Sequence, residues 1–284
     1  MTRREVLSGA AGTLAGLAAA GRLTAAQSAG GWKMSMCDWS LGRPADPSVF
    51  ELGRKIGLNG IQVSIGFPED GLKLRRPEVQ KQFREAAKAN GMSFHSVAMG
   101  VLNNVPLVSE PRAAVWVADT IEAARNLDAR NILLAFFGKG ELKETNADDM
   151  RRVTELMQEL APRAEKAQVI LGLETYLSAE AHLKILDAVK SKWVQVYYDV
   201  YNANHKGHDY LKEIKLLGRE RICEVHFKEG GNYLGSGKID WPAVAATLQE
   251  IGYRGWLVLE TTSPSGDLVA DTKRNLEYLK KLFA

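Results

Sequence analysis

Eight short apolar runs recur along the chain, each separated from the next by a stretch with helical spacing. They are Lys33 to Cys37, Gly60 to Ile65, Phe94 to Met99, Asn131 to Phe137, Val169 to Tyr176, Val194 to Val200, Ile222 to Lys228 and Gly255 to Glu260. Several are continuously apolar, as in Ile132-Leu133-Leu134-Ala135-Phe136-Phe137, the pattern of strands covered on both faces. Amphipathic stretches lie near residues 48–57, 77–90, 111–127, 147–167, 180–190, 208–217 and 241–251, and a last one near 267–283 closes the chain. Strand, helix, strand at this spacing is a βαβ unit, and its two strands run parallel. Gly57, Gly91 and Gly252 stand where helices would end in a left-handed cap. Eight repeats without a break in composition predict one α/β domain over 30–284, a closed (β/α)8 barrel of the TIM type. An open doubly wound sheet is the competing arrangement, but no G-x-G-x-x-G follows the first run.

Residues 1–29 do not follow this pattern. Arg3-Arg4 precedes an uncharged run from Ser8 to Ala20, and small residues follow from Thr24 to Ala29. This order predicts a secretory signal of the twin-arginine type, cleaved near Ala26 to Ala29, and a periplasmic or secreted protein. A membrane anchor would need an apolar run of about 20 residues, longer than this one. Loss of residues 1–26 removes Arg3, Arg4, Arg22 and Glu5, a net +2 of the total +3. What remains is close to neutral and carries no Lys/Arg block, which argues against nucleic acid as a partner. Two cysteines, Cys37 and Cys223, are too few for a disulfide framework or a zinc knuckle and read as buried strand residues.

The C-terminal ends of barrel strands are where such folds carry their chemistry. Here Glu174 ends the fifth run, Asp199 the sixth and Glu260 the eighth, with His226 inside the seventh. Any one strand-end acid could merely cap the following helix. Three acids entering one desolvated cup would repel strongly, and a divalent cation removes that repulsion. Three carboxylates and one imidazole suit Mn²⁺ or Mg²⁺, with Co²⁺ or Zn²⁺ as alternatives.

In these motifs the chain resembles the xylose isomerase-like TIM barrels, and within them the sugar isomerases and epimerases. The resemblance rests on Leu173-Glu174, Tyr198-Asp199-Val200 with Asn202, Val225-His226-Phe227-Lys228, the Leu234 to Trp241 segment, and the closing Gly255 to Thr261. It implies that Glu174, Asp199, His226 and Glu260 hold one ion, Mn²⁺ first. It also implies that Glu174 and Glu260 act as the acid/base pair, one on each face of a sugar substrate, and that barrels of this kind often pair. Ketose 3-epimerases of the family usually carry a His three residues after the Asp ligand and an Arg six residues after the His ligand. This chain has Asn202 and Asn232 there, which fits a related branch better. The histidine-rich three-metal nucleases of the superfamily are a poor match, since only His95, His182, His205, His208 and His226 exist.

The chemistry explains the residue types. Epimerising a carbon beside a carbonyl removes a barely acidic proton, and a divalent ion stabilises the resulting enediolate. One carboxylate takes the proton and another returns one. Return to a different carbon would be isomerisation, and expulsion of a leaving group would make the same site a lyase or hydrolase of 3-keto-glycosides. A non-catalytic sugar-binding barrel is the reading from another class. Lys228, two residues past His226, points the same way on a strand and is a candidate to neutralise an enediolate or phosphate, or to pair with an acid such as Glu229. Trp39, Asn103 and Asn202 follow strands one, three and six as candidate sugar contacts. Gly235-Ser236-Gly237 is a weak phosphate-loop signal, His205 and His208 read as surface loop residues, and His95 as structural.

Overall fold

The computed structural model describes residues 31–284; the signal segment predicted over 1–29 lies outside the described residues. Eight strands alternate with helices: β1 (Met34–Cys37), α1 (Val49–Ile56), β2 (Gly60–Ser64), α2 (Pro77–Asn90), β3 (Ser93–Met99), α3 (Pro111–Asn126), β4 (Asn131–Ala135), α4 (Ala147–Ala167), β5 (Ile170–Glu174) and α5 (Ala179–Val189). Then come β6 (Val194–Asp199), α6 (Val200–His205), α7 (Tyr210–Leu217), β7 (Ile222–Phe227), α8 (Trp241–Glu250), β8 (Leu257–Leu259) and α9 (Leu268–Leu282). Every strand pairs in parallel with its sequence neighbours, and β1 pairs with β8 to close the barrel. Among the described residues no helix is long and apolar enough to cross a membrane.

The helices begin where a short polar side chain can satisfy a free amide. Ser178, Asp199, Asp209, Asp240 and Asp267 each accept a hydrogen bond from the amide three residues on. α2 starts instead with Pro77 and ends at Gly91, whose φ of 62° suits a residue without a Cβ. Its buried face is Val79, Gln80, Phe83 and Ala87, one stripe at helical spacing. The main core lies between barrel and helices, while Cys37, Ala98, Leu133, Ala135, Tyr197, Cys223 and Val258 form a separate cluster inside the barrel. Gly172 leaves room there, since a methyl would meet Cys223 Sγ and the Tyr197 side chain.

One difference from the sequence expectation matters. α6 occupies what reads in sequence as a loop, because six residues are too few to show a period, and Asp199 supplies the cap that starts it. Both cysteines are free and buried, as expected.

Candidate metal centre

Strand register brings the acids and the imidazole together. Asp199 is the direct partner of His226 across β6 and β7, and His226 of Val258 across β7 and β8, two residues before Glu260. Glu174 closes β5 one strand further round. One ligand atom from each of Glu174, Asp199, His226 and Glu260 lies within 4.8 Å of all the others. His226 Nδ1 is 3.1 Å from Glu174 Oε1, 3.2 Å from Glu260 Oε2 and 3.6 Å from Asp199 Oδ2. The imidazole is fully buried and Glu174 and Asp199 nearly so.

The acids are held from outside the cluster. Asp199 Oδ1 accepts from the Asn202 amide at 2.7 Å, so this residue caps α6 with one oxygen and turns the other inward. That second oxygen is buried and accepts no hydrogen bond; Lys228 Nζ sits 2.9 Å away, in contact but not aligned as a donor. Lys228 also donates to Glu260 Oε2 at 2.9 Å, and Trp39 Nε1 donates to Glu260 Oε1 at 3.1 Å. Burial works to raise the Glu260 proton affinity, but His226 and Lys228 outweigh it and hold the carboxyl well below the usual range. Burial dominates at Glu174 and raises it, with His226 pulling the other way. At His226 burial disfavours the charged ring, yet Cys37, Glu260 and Glu174 lift its proton affinity well above the ordinary value.

The other nitrogen decides what Nδ1 can offer. His226 Nε2 lies 3.0 Å from Gln62 Oε1, an acceptor only, so Nε2 keeps a proton; Nδ1 faces the acids, donating to them in the charged ring and serving as a ligand once that proton leaves. With that proton gone, one nitrogen and three carboxylate oxygens lie within 4.8 Å of one another, an arrangement that suits a divalent cation. The uncommitted Asp199 oxygen fits the same ion. The oxygen-rich donor set suits a hard or borderline cation.

The remaining candidates fall into two groups. Trp39, edge-on to His226 at 6.3 Å between centroids, and Lys228 both touch the cluster. Lys228 pairs with Asp199 and Glu260, and among the described residues it forms no ion pair with Glu229. Asn202 is buried in the first turn of α6, reaching the site through its amide. Asn103 is committed elsewhere through its side-chain oxygen, which accepts from the Phe137 amide at 3.0 Å and ties the β3 loop to the end of β4. His205 is exposed and lies parallel to Tyr201, beside Tyr176, which in turn meets Phe137. His95 is structural as expected, bonded to Glu224 inside the barrel. Gly235-Ser236-Gly237 holds a protein carboxylate: the Lys238 and Ile239 amides and the Trp241 indole donate to Glu229, and a side chain at Gly237 would overlap that carboxyl.

Sequence reasoning passed over Gln62, Tyr197 and Glu224. Their signal was present: an amide in Gly60-Ile61-Gln62-Val63 and an acid in Ile222-Cys223-Glu224-Val225 interrupt otherwise apolar strands, and buried polar groups of that kind need partners.

A parallel eight-stranded barrel with a three-carboxylate, one-imidazole cluster at its C-terminal face defines an α/β barrel with a candidate metal site. Residues 50–282 match the Xylose isomerase-like TIM barrel family, and the chain belongs to it. It is 24% identical to the L-ribulose-5-phosphate 3-epimerase UlaE of Escherichia coli (strain SMS-3-5), over 82% of this chain and 88% of that protein. Among solved structures it is similar to D-psicose 3-epimerase crystallised with D-fructose, with a TM-score of 0.74, 16% identity and coverage of 88% and 99% of the two chains. A 3-keto-D-glucoside 4-epimerase, YcjR from E. coli, superposes with a TM-score of 0.73, 15% identity and coverage of 88% and 99%.

Proposed function

We propose that the chain is a divalent-metal-dependent sugar epimerase or isomerase that abstracts a proton beside a carbonyl on a ketose or keto-sugar. The observation that carries this reading is the convergence of Glu174, Asp199, His226 Nδ1 and Glu260 within 4.8 Å. An ion held by these four would supply a Lewis acid that eases the negative charge developing on the substrate carbonyl. The two glutamates are held by different partners. Glu260, tied to Lys228 and Trp39, stays ionised and takes the proton. Glu174, on the His226 side of the cluster, returns one from the opposite side. The Lys228 ammonium lies 2.9 Å from Glu260 Oε2 and stabilises the enediolate electrostatically. Trp39, Tyr201 and Tyr176 offer aromatic faces for the apolar side of a sugar ring.

We read the substrate as unphosphorylated. In TIM barrels the loops after strands seven and eight commonly hold phosphate, but here their donors serve internal carboxylates. Glu229 takes two amides and an indole, and Asp271 takes Tyr233 Oη, Ser263 Oγ and both the amide and hydroxyl of Ser265. Export through the twin-arginine route, if residues 1–29 direct it, would also expose the enzyme to free sugars rather than phosphorylated ones. YcjR is a 4-epimerase of a 3-keto-D-glucoside, and its likeness in fold keeps a keto-glycoside among the substrates, with elimination from it as the second reading.

The test is incubation with Mn²⁺ in D₂O against free ketoses, their phosphates, aldoses and keto-glycosides, followed by NMR. Deuterium at a carbon beside the carbonyl of an unphosphorylated sugar is expected, and Glu174→Gln or Glu260→Gln should lower the exchange about 10²–10⁴-fold. Aglycone release would favour elimination. Exchange within threefold of wild type in either variant would remove the acid/base assignment, and no exchange with any sugar would leave a binding barrel.

A further inference from the structure

A chain of buried hydrogen bonds runs from the metal cluster into the barrel interior. Its order is His226, Gln62, Tyr197 and Glu224, from strands β7, β2, β6 and β7, and all four side chains are almost or entirely inaccessible. His226 Nε2 is 3.0 Å from Gln62 Oε1; Gln62 Nε2 donates to Tyr197 Oη at 2.9 Å; Tyr197 donates to Glu224 Oε2 at 2.6 Å. The strands are irregular at both intermediate members. The β2–β3 register shifts between Ile61 and Gln62, and the β6–β7 register shifts between Val196 and Tyr197. Such irregularities re-aim side chains, and these two turn an amide and a phenol inward, the phenol into space that Gly172 leaves free.

Donor and acceptor logic makes the chain directional. Glu224 already draws His95 Nδ1 and Asn131 Nδ2, and a carboxylate only accepts, so the Tyr197 proton must point at it. The phenol oxygen then needs a donor, which is the Gln62 NH₂. That orientation turns the Gln62 carbonyl toward His226, where it also receives the Cys37 thiol at 3.1 Å, while the second amide hydrogen reaches Ser96 Oγ at 3.0 Å. Every site on Gln62 is filled, and a flipped amide would set its NH₂ against the His226 N–H and strip the phenol of its donor.

We propose that Glu224, acting through Tyr197 and Gln62, fixes the proton of His226 on Nε2 and so presents Nδ1 to the divalent ion. Gln62 and Tyr197 are positioning residues for the metal. The inference rests on the metal reading above, and its test separates the two.

Wild-type protein, Gln62→Leu, Tyr197→Phe and Ser96→Ala are titrated with Mn²⁺ and free ion is followed by EPR, with folding checked by circular dichroism and melting. Loss of a partner to the second nitrogen of a ligand histidine costs about 10–100-fold in affinity. Gln62→Leu should show that loss, and Tyr197→Phe, which frees the amide to flip, should weaken binding by at least about threefold. Ser96→Ala, which leaves the direction of the chain intact, should bind within twofold of wild type. The second readout is ¹⁵N-edited NMR of metal-free protein: a slowly exchanging His226 Nε2 proton is expected in wild type and is lost in Gln62→Leu. A purely structural role would lower melting temperatures and leave both readouts unmoved in the folded fraction. Mn²⁺ binding within twofold of wild type in folded Gln62→Leu and Tyr197→Phe, or a His226 proton found on Nδ1 alone, overturns the proposal. Absence of Mn²⁺ binding in wild type would instead remove the metal reading, while the proton position would still judge the relay.

Discussion

Lys228→Met tests how the acid cluster is kept together. The Lys228 ammonium lies 2.9 Å from one oxygen each of Asp199 and Glu260, and its side chain is 19% exposed. A unit pair at 4 Å is worth about 4 kcal/mol at an effective dielectric near 20, so two closer contacts outweigh the desolvation of one ammonium. Removing it leaves three carboxylates around a single imidazole, and breaking a buried pair of this kind costs about 3–5 kcal/mol. For a domain of this size that corresponds to a melting point lower by about 6–20 °C. Met keeps the length of the aliphatic stem, which isolates the charge from the packing. Urea unfolding is measured on EDTA-treated protein and again with Mn²⁺. The variant should lose about 3–5 kcal/mol without metal. Mn²⁺ should narrow that gap, because the ion supplies the positive charge that Lys228 had provided. At 100 times its dissociation constant a ligand adds about 2.7 kcal/mol, enough to see the difference. A loss below about 1 kcal/mol without metal, or a gap that widens with Mn²⁺, would refute the reasoning.

Buried His182 should set part of the acid limb of the stability curve. Burial lowers its pKa from 6.5 to about 4, and it is held neutral between the Ser178 carbonyl and the Thr175 hydroxyl. A group whose folded pKa is depressed stabilises the fold above 6.5, and that contribution is lost as pH falls through 4. The lost share is at most about 3 kcal/mol; the free energy of unfolding in urea should fall by up to that much between pH 7 and 4, and His182→Gln should flatten the slope, whereas an unchanged slope would contradict it. Gly237→Ala should cost about 1–3 kcal/mol by pushing the Glu229 carboxyl off the Lys238 and Ile239 amides; an unfolding midpoint equal to that of wild type would mean the loop gives way freely.

Strands buried on both faces announce themselves as apolar runs, so the barrel was legible from Ile132 to Phe137 and its seven counterparts. The acids at the ends of β5, β6 and after β8 were legible for the same reason, since a charge after such a run must enter the cup. The boundaries were less so. β8 is only Leu257–Leu259, because Gly255 and Trp256 approach it without joining the ladder. α6 hid because its six residues are too few to show a helical period, and the Asp199 oxygen that starts it belongs to a side chain that also faces the acid cluster. The Gln62, Tyr197 and Glu224 chain was illegible, since Gln62 and Tyr197 are 135 residues apart and meet only after the barrel closes and two registers slip. Asn103 reads as a sugar contact from its place after a strand, and the structure shows its side-chain oxygen accepting from the Phe137 amide.

The most direct measurement of the central claim is anomalous diffraction from crystals of the full chain grown with Mn²⁺. One peak per chain is predicted, bonded at about 2.0–2.4 Å to His226 Nδ1 and to carboxylate oxygens of Glu174, Asp199 and Glu260. A Mn²⁺ peak only at other residues, or none inside this cluster at saturating ion, would contradict it.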